Sequence, residues 1–198
     1  MPPGIAAGQY CNAGGGPRQD DLGELRDSIR LSDGGVYDNL GLEPVWKSHA
    51  TVLVSDGGAP MKPEAPWGVA RLKRYAGIAL NQVGALRTRW LIDTYERNKA
   101  GQKDTFDGTY WGIGSAAERY RKNPGYGYSK RLASYRIAMI RTDLDPFTQN
   151  ECWVLIKHGY ELADIAVDTH TRGLAVGTPA RRSWPTNLAD EEAVEKAL

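Results

Sequence analysis

Two carboxylates in this 198-residue chain stand where acid–base chemistry is usually built. Asp33 is followed at once by Gly34-Gly35, and Asp56 by Gly57-Gly58. Paired glycines let a backbone turn sharply with φ > 0, so each Asp is expected on an elbow with no bulky neighbour. Asp33 follows the stretch Ser28-Ile29-Arg30-Leu31, and Asp56 follows Ala50-Thr-Val-Leu-Val-Ser55. Both are therefore expected at strand ends, where open α/β sheets gather their functional groups. On local pattern alone the two compete for the role of general base. A nucleophile is harder to find. Ser115, in Gly112-Ile-Gly-Ser-Ala-Ala-Glu118, has glycines before it but none two residues after it, and no strand leads in. A helix N-cap is the simpler explanation of that serine. Ser32 and Ser55 abut their aspartates too closely for a strand–elbow pair. His49, His158 and His170 have no triad spacing, and His158 is expected at a helix surface or boundary. His158, Asp164 and Asp168 match no metal-ligand pattern, and Asp104 to Asp107 is no calcium loop.

The elements that must hold these groups follow from composition and period. Residues 1–27 are rich in Gly, Pro and polar groups and predict a flexible loop. Tyr37 to Trp46 predicts a short helix stopped near Ser48. The β-branched run Ala50 to Ser55 predicts a strand buried on both faces of a mostly parallel sheet. From Trp67 to Lys99, Val69, Leu72, Ala76, Ala79, Val83, Leu86, Trp90 and Ile92 recur at steps of three and four, one apolar helical face. Gly77 and Gly84 predict a break or a close helix–sheet contact there. Residues 101–130 read as a long connection carrying Phe106, Tyr110, Trp111, Tyr126 and Tyr128, suited to a pocket mouth. Tyr135 to Arg141 predicts a further strand. Thr148-Gln-Asn-Glu151 is a reciprocal capping box opening a helix through Val167. Residues 171–198 read as a tail with a short helix at Asp190 to Leu198.

The block Leu31-Ser-Asp-Gly-Gly-Val-Tyr-Asp-Asn-Leu-Gly-Leu-Glu-Pro-Val45 closely resembles the second active-site block of the patatin-like phospholipases. The likeness runs from about Ile29 to Val167 and weakens away from that block. It implies an α/β fold, a three-layer α/β/α sandwich of which this chain is the C-terminal portion, with the family domain over residues 28–170. It implies a lipid acyl hydrolase working through a Ser–Asp dyad without a cofactor, and a lipid ester as substrate. It assigns the motif Asp33, Gly34, Gly35, with Asp33 the proton acceptor of the dyad in preference to Asp56. Asn39 would orient the loop. The family's Gly-x-Ser-x-Gly nucleophile block occurs nowhere in this sequence. Gly14-Gly15-Gly16-Pro17-Arg18 echoes the family's glycine-rich oxyanion loop but stands too near Asp33 to serve as one. The expectation is a truncated or split product that supplies the base without the nucleophile and is inactive alone. Its alternative is a non-enzymatic remnant, or a half-domain that binds a separately encoded N-terminal half.

Charge and composition narrow the partners. The net charge of +1 gives no overall attraction for nucleic acid or an anionic surface. No run of about 20 apolar residues predicts a membrane span, and no signal-peptide pattern opens the chain. Arg71, Lys73, Arg74, Arg87 and Arg89 beside the apolar helical face would suit a peripheral membrane contact. Cys11 and Cys152 have neither redox nor metal spacing, which fits a reduced, cytoplasmic setting, with a single long-range disulfide between them as the alternative.

Overall fold

A computed structural model of the chain describes residues 33–61, 67–142, 145–174 and 183–198. The chain divides into two compact units, Met1–Val36 and Tyr37–Leu198. The strand expected at Ser28 to Leu31, the N-terminal loop, Gly14–Arg18 and Cys11 lie outside the described residues. The Asp block is helical rather than an elbow built on positive φ. Gly35–Asp38 forms one helical turn, α1, and neither Gly34 nor Gly35 has a positive φ. The helix predicted to continue to Trp46 gives way to turns over residues 43–48.

The second unit mixes helices with a two-stranded parallel sheet. Strand β1, Thr51–Asp56, pairs with β2, Asp107–Gly112, in the register Val52↔Gly108 and Asp56↔Gly112. Their crossover contains the long helix α2, Val69–Lys99. Strand β2 sits inside the connection read from sequence as irregular. Thr109, Tyr110 and Trp111 favour extended backbone, and Gly108 makes the pairing sterically feasible. A Cβ at Gly108 would lie 2.0 Å from the Val52 carbonyl oxygen and 2.7 Å from the Tyr95 ring. Only glycine tolerates that approach.

Burial of β1 on both faces does not occur. Val52 and Val54 are buried, whereas Leu53 is 45% exposed. The covered face packs with Leu91 and Tyr95 of α2, Leu42 and Phe106. Tyr95 reinforces this, its hydroxyl donating to the Val52 carbonyl at 2.7 Å. Helix α2 is continuous through Gly77 and Gly84, and a Cβ at either would meet nothing within 4 Å. The expected break and the expected close contact are both absent. Its buried face is Leu91, Thr94 and Tyr95, not the stripe that the period singled out.

The predicted strand at Tyr135 to Arg141 is also overturned. Ser129 caps a helix, α3, Lys130–Tyr135, by accepting the Leu132 N–H, and a 3₁₀ turn follows at Ile137–Met139. A short continuous apolar run does not by itself distinguish strand from helix, and this one buries Ile137 and Ala138 from a 3₁₀ turn. Helix α4, Gln149–His170, opens on the expected capping box, with Thr148 and Glu151 bonding reciprocally. Beyond residue 171, Leu188 and Val194 join Tyr128, Leu132, Ile137 and Val154 in a second core. Val194 belongs to α5, Glu191–Ala197, capped by Asp190. No helix among the described residues is long and apolar enough to cross a membrane.

Candidate active site

Asp33 is exposed and caps α1. Its Oδ1 accepts the Gly35 N–H at 2.7 Å, and its carbonyl accepts the Val36 N–H at 3.1 Å. This is an Asx turn, and it fixes the carboxylate relative to the backbone. A Cβ at Gly34 would meet nothing within 4 Å, so the space beside the carboxylate is open. Among the described residues no hydrogen bond from the Asn39 side chain holds this turn. That task falls to Asp38, which the sequence did not single out. Asp38 Oδ2 accepts the Glu43 N–H at 2.8 Å, and Oδ1 lies 2.6 Å from Arg87 Nη1 of α2. Burial pushes the Asp38 pKa up, but the Glu43 N–H and Arg87 outweigh it and hold the pKa below the usual carboxylate value.

A second group forms at the carboxyl ends of β1 and β2, around a pocket of about 340 Å³. Asp56, Tyr110, Ser115, Arg119 and Ser134 line it. Asp56 is held from two sides: Oδ1 accepts the Gly58 N–H at 2.9 Å and Oδ2 accepts the Tyr110 hydroxyl at 2.7 Å. Burial first, then the Asp56 carboxylate, raises the pKa of the Tyr110 phenol, which keeps it a donor. Ser115 is buried, and it is close enough to the Tyr120 phenol to lower that group's pKa. Tyr120 in turn donates to the Tyr110 carbonyl at 3.1 Å. Burial raises the Tyr120 pKa, against Ser115 and the Arg119 charge. The sequence placed Asp56 and Ser115 in separate arguments, and the fold places them on one pocket. The serine's neighbour there is the Tyr120 phenol, whose pKa burial raises, and a phenol that stays protonated is no base for it.

His158 sits under this pocket rather than at a surface. It is 2% exposed, and its Nε2 donates to the Ile113 carbonyl at 2.7 Å. The bond ties α4 to the loop that carries Gly114 and Ser115. Burial holds the His158 pKa below its usual value, so the ring is neutral. Nothing in the local sequence announced this, because its partner is a backbone carbonyl 45 residues away. His170 lines a smaller pocket of about 160 Å³ with Glu96, Lys99, Arg119 and Tyr120. Asp164 accepts the Tyr126 hydroxyl at 2.7 Å, and Asp168 pairs with Arg121. His158, Asp164 and Asp168 thus serve three separate contacts. Comparison of the chain with protein-family models, with curated proteins and with solved structures returns no match in any of the three.

Proposed function

We propose that this chain carries the base of a patatin-like lipid acyl hydrolase, within a three-layer α/β/α sandwich to which it contributes the C-terminal portion. The observation that carries the proposal is the Asp33-Gly34-Gly35 block with its carboxylate exposed and oriented by the Gly35 N–H. In a Ser–Asp dyad the carboxylate takes the serine proton as Oγ attacks the ester carbonyl. It then returns that proton to the leaving alcohol, and it deprotonates the water that releases the acyl group. An exposed, backbone-anchored carboxylate beside an open glycine suits that traffic. Ser115 lies beside a protonated phenol rather than a base, which supports a nucleophile supplied from elsewhere.

Strand β1 supports completion by further sequence. Its pairing with β2 uses one edge, no other strand pairs with it among the described residues, and Leu53 is exposed on its open face. Exposed apolar edges of this kind are ordinarily covered. The half-domain reading rests on the same observation, with or without catalysis.

The test begins with the DNA upstream of Met1, read in all frames for a Gly-x-Ser-x-Gly block after a glycine-rich loop. The chain alone is expected to show no turnover of p-nitrophenyl butyrate and no fluorophosphonate labelling. Co-expressed with the upstream half, it should gain both, and Asp33→Asn should abolish turnover. Turnover by the chain alone, or by the complex bearing Asp33→Asn, would overturn the proposal.

A further inference from the structure

Helix α2 carries an apolar face that the other described residues leave exposed. Val69, Leu72, Val83 and Leu86 are all exposed, Val69 by 83% and Leu72 by 66%, and the line ends at Trp90, which packs on Trp46 and Phe106. With Ala76 and Ala79, also exposed, they alternate at steps of three and four without interruption. That is a period of 3.5, the seam along which one helix accepts another. At 100° per residue the seam lies about a quarter-turn from the buried Leu91, Thr94 and Tyr95, on the flank of the helix. Two alanines at its centre allow close approach of a rod and offer little to insert into a lipid surface.

Charge selects the occupant. Between Val69 and Ile92 the helix holds Arg71, Lys73, Arg74, Arg87 and Arg89 and no Asp or Glu. Arg87 is paired with Asp38, and the other four have no ion-pair partner among the described residues. Three of them sit near a helix N-terminus that has no side-chain cap and no acid in its first turn. Cations there oppose the macrodipole. A second copy of α2 would bring like charge against like charge. We infer that the Val69–Leu86 face of α2 docks an acidic amphipathic helix of a partner protein, with apolar residues at three-four spacing flanked by Glu or Asp. The inference is independent of the role assigned to Asp33.

The test titrates the full chain into a labelled synthetic helix with Leu at the seam positions and Glu at the flanking ones. It should bind at least tenfold tighter than the same peptide with Lys for Glu, and binding should weaken between about 50 and 500 mM salt as charges are screened. Leu72→Glu/Leu86→Glu alters two exposed side chains, so the fold should persist by circular dichroism while binding falls at least tenfold. Lys73→Glu/Arg89→Glu should invert the preference toward the lysine peptide. Equal binding of the two peptides, or binding unaffected by the leucine pair, overturns the inference. So does retention on phosphatidylglycerol vesicles without peptide binding, which assigns the face to lipid. A dimer in sedimentation that Leu86→Glu dissolves also overturns it, assigning the face to a second copy.

Discussion

Helix α4 begins with a reciprocal capping box and buries eight residues along its length, from Glu151 to Ala166. Helix α2 begins on Gly68 without a side-chain cap and buries only Leu91, Thr94 and Tyr95, all near its C-terminal end. Both show an apolar stripe in sequence, yet one stripe is spent on this chain's own core and the other, from Val69 to Leu86, is left exposed by the described residues. Most helical stability in proteins comes from packing an amphipathic face. The first two-thirds of α2 lacks that support, so its stripe is better understood as a surface for something else than as core that failed to form.

The sharpest way to break this comparison is to cut matched side chains from the two helices. Ile165 is fully buried on α4, and Ile165→Ala should cost about 3 kcal/mol through lost burial and a residual cavity. Leu86 is 58% exposed on α2, and Leu86→Ala should change stability by less than about 0.5 kcal/mol. Urea unfolding of both variants reads the difference. Similar losses would mean that the α2 stripe is covered in solution by the chain itself.

A smaller effect should separate the helices by pH. His158 on α4 has a pKa depressed by burial and, last, by Lys157, against the Ile113 carbonyl that holds its Nε2 proton. Its other close neighbour is the Tyr128 ring, 5.9 Å between centroids. Because the folded pKa lies below the unfolded one, the unfolded chain takes up the proton first. The stability that the neutral ring contributes is therefore present above about pH 6.5 and is lost as pH falls through the folded value. The urea midpoint should drop on acidification below that point, and His158→Gln should remove this histidine's share of the drop. No histidine lies on α2, so its Leu86→Ala variant should follow the unsubstituted chain.

What the sequence made legible was local. The capping box at Thr148, the strand at Thr51–Asp56 and the extent of α2 all follow from signals a few residues apart, and each is in the fold. What stayed hidden depends on partners distant in sequence. Strand β2 looked irregular because Gly108 reads as a breaker until Val52 and Tyr95 are seen pressing on it. His158 looked like a boundary residue because its partner is a loop carbonyl. The period of α2 was read correctly, but period alone does not say which stripe the protein covers. The Asp33 block was legible as a motif. The structure adds to it the Asx turn, and with it an anchored carboxylate rather than a merely conspicuous one.

Modest effects of opposite sign should appear at the two helix starts. Thr148→Ala removes the acceptor for the Glu151 N–H at 3.2 Å and leaves the other half of the box, the Thr148 N–H on the Glu151 carboxylate at 2.6 Å. The cost should be about 1 kcal/mol. At the start of α2 the residue to change is Arg71, whose guanidinium lies 5.1 Å from the Trp67 ring centroid. Arg71→Glu gives up that exposed cation–π contact but replaces a cation opposing the macrodipole with an anion that suits it. The net should be a stabilisation of about 0.3–0.5 kcal/mol at low salt, shrinking as salt is added. Amide exchange over residues 69–75 reads it locally, where global unfolding would miss it. Slower exchange in Arg71→Glu, together with weaker binding of the acidic peptide, would mean that α2 keeps a poor helix start for the sake of its partner. Unchanged exchange would mean that its N-terminal turns are already held by contacts within the chain, and the contrast with α4 would then rest on the seam alone.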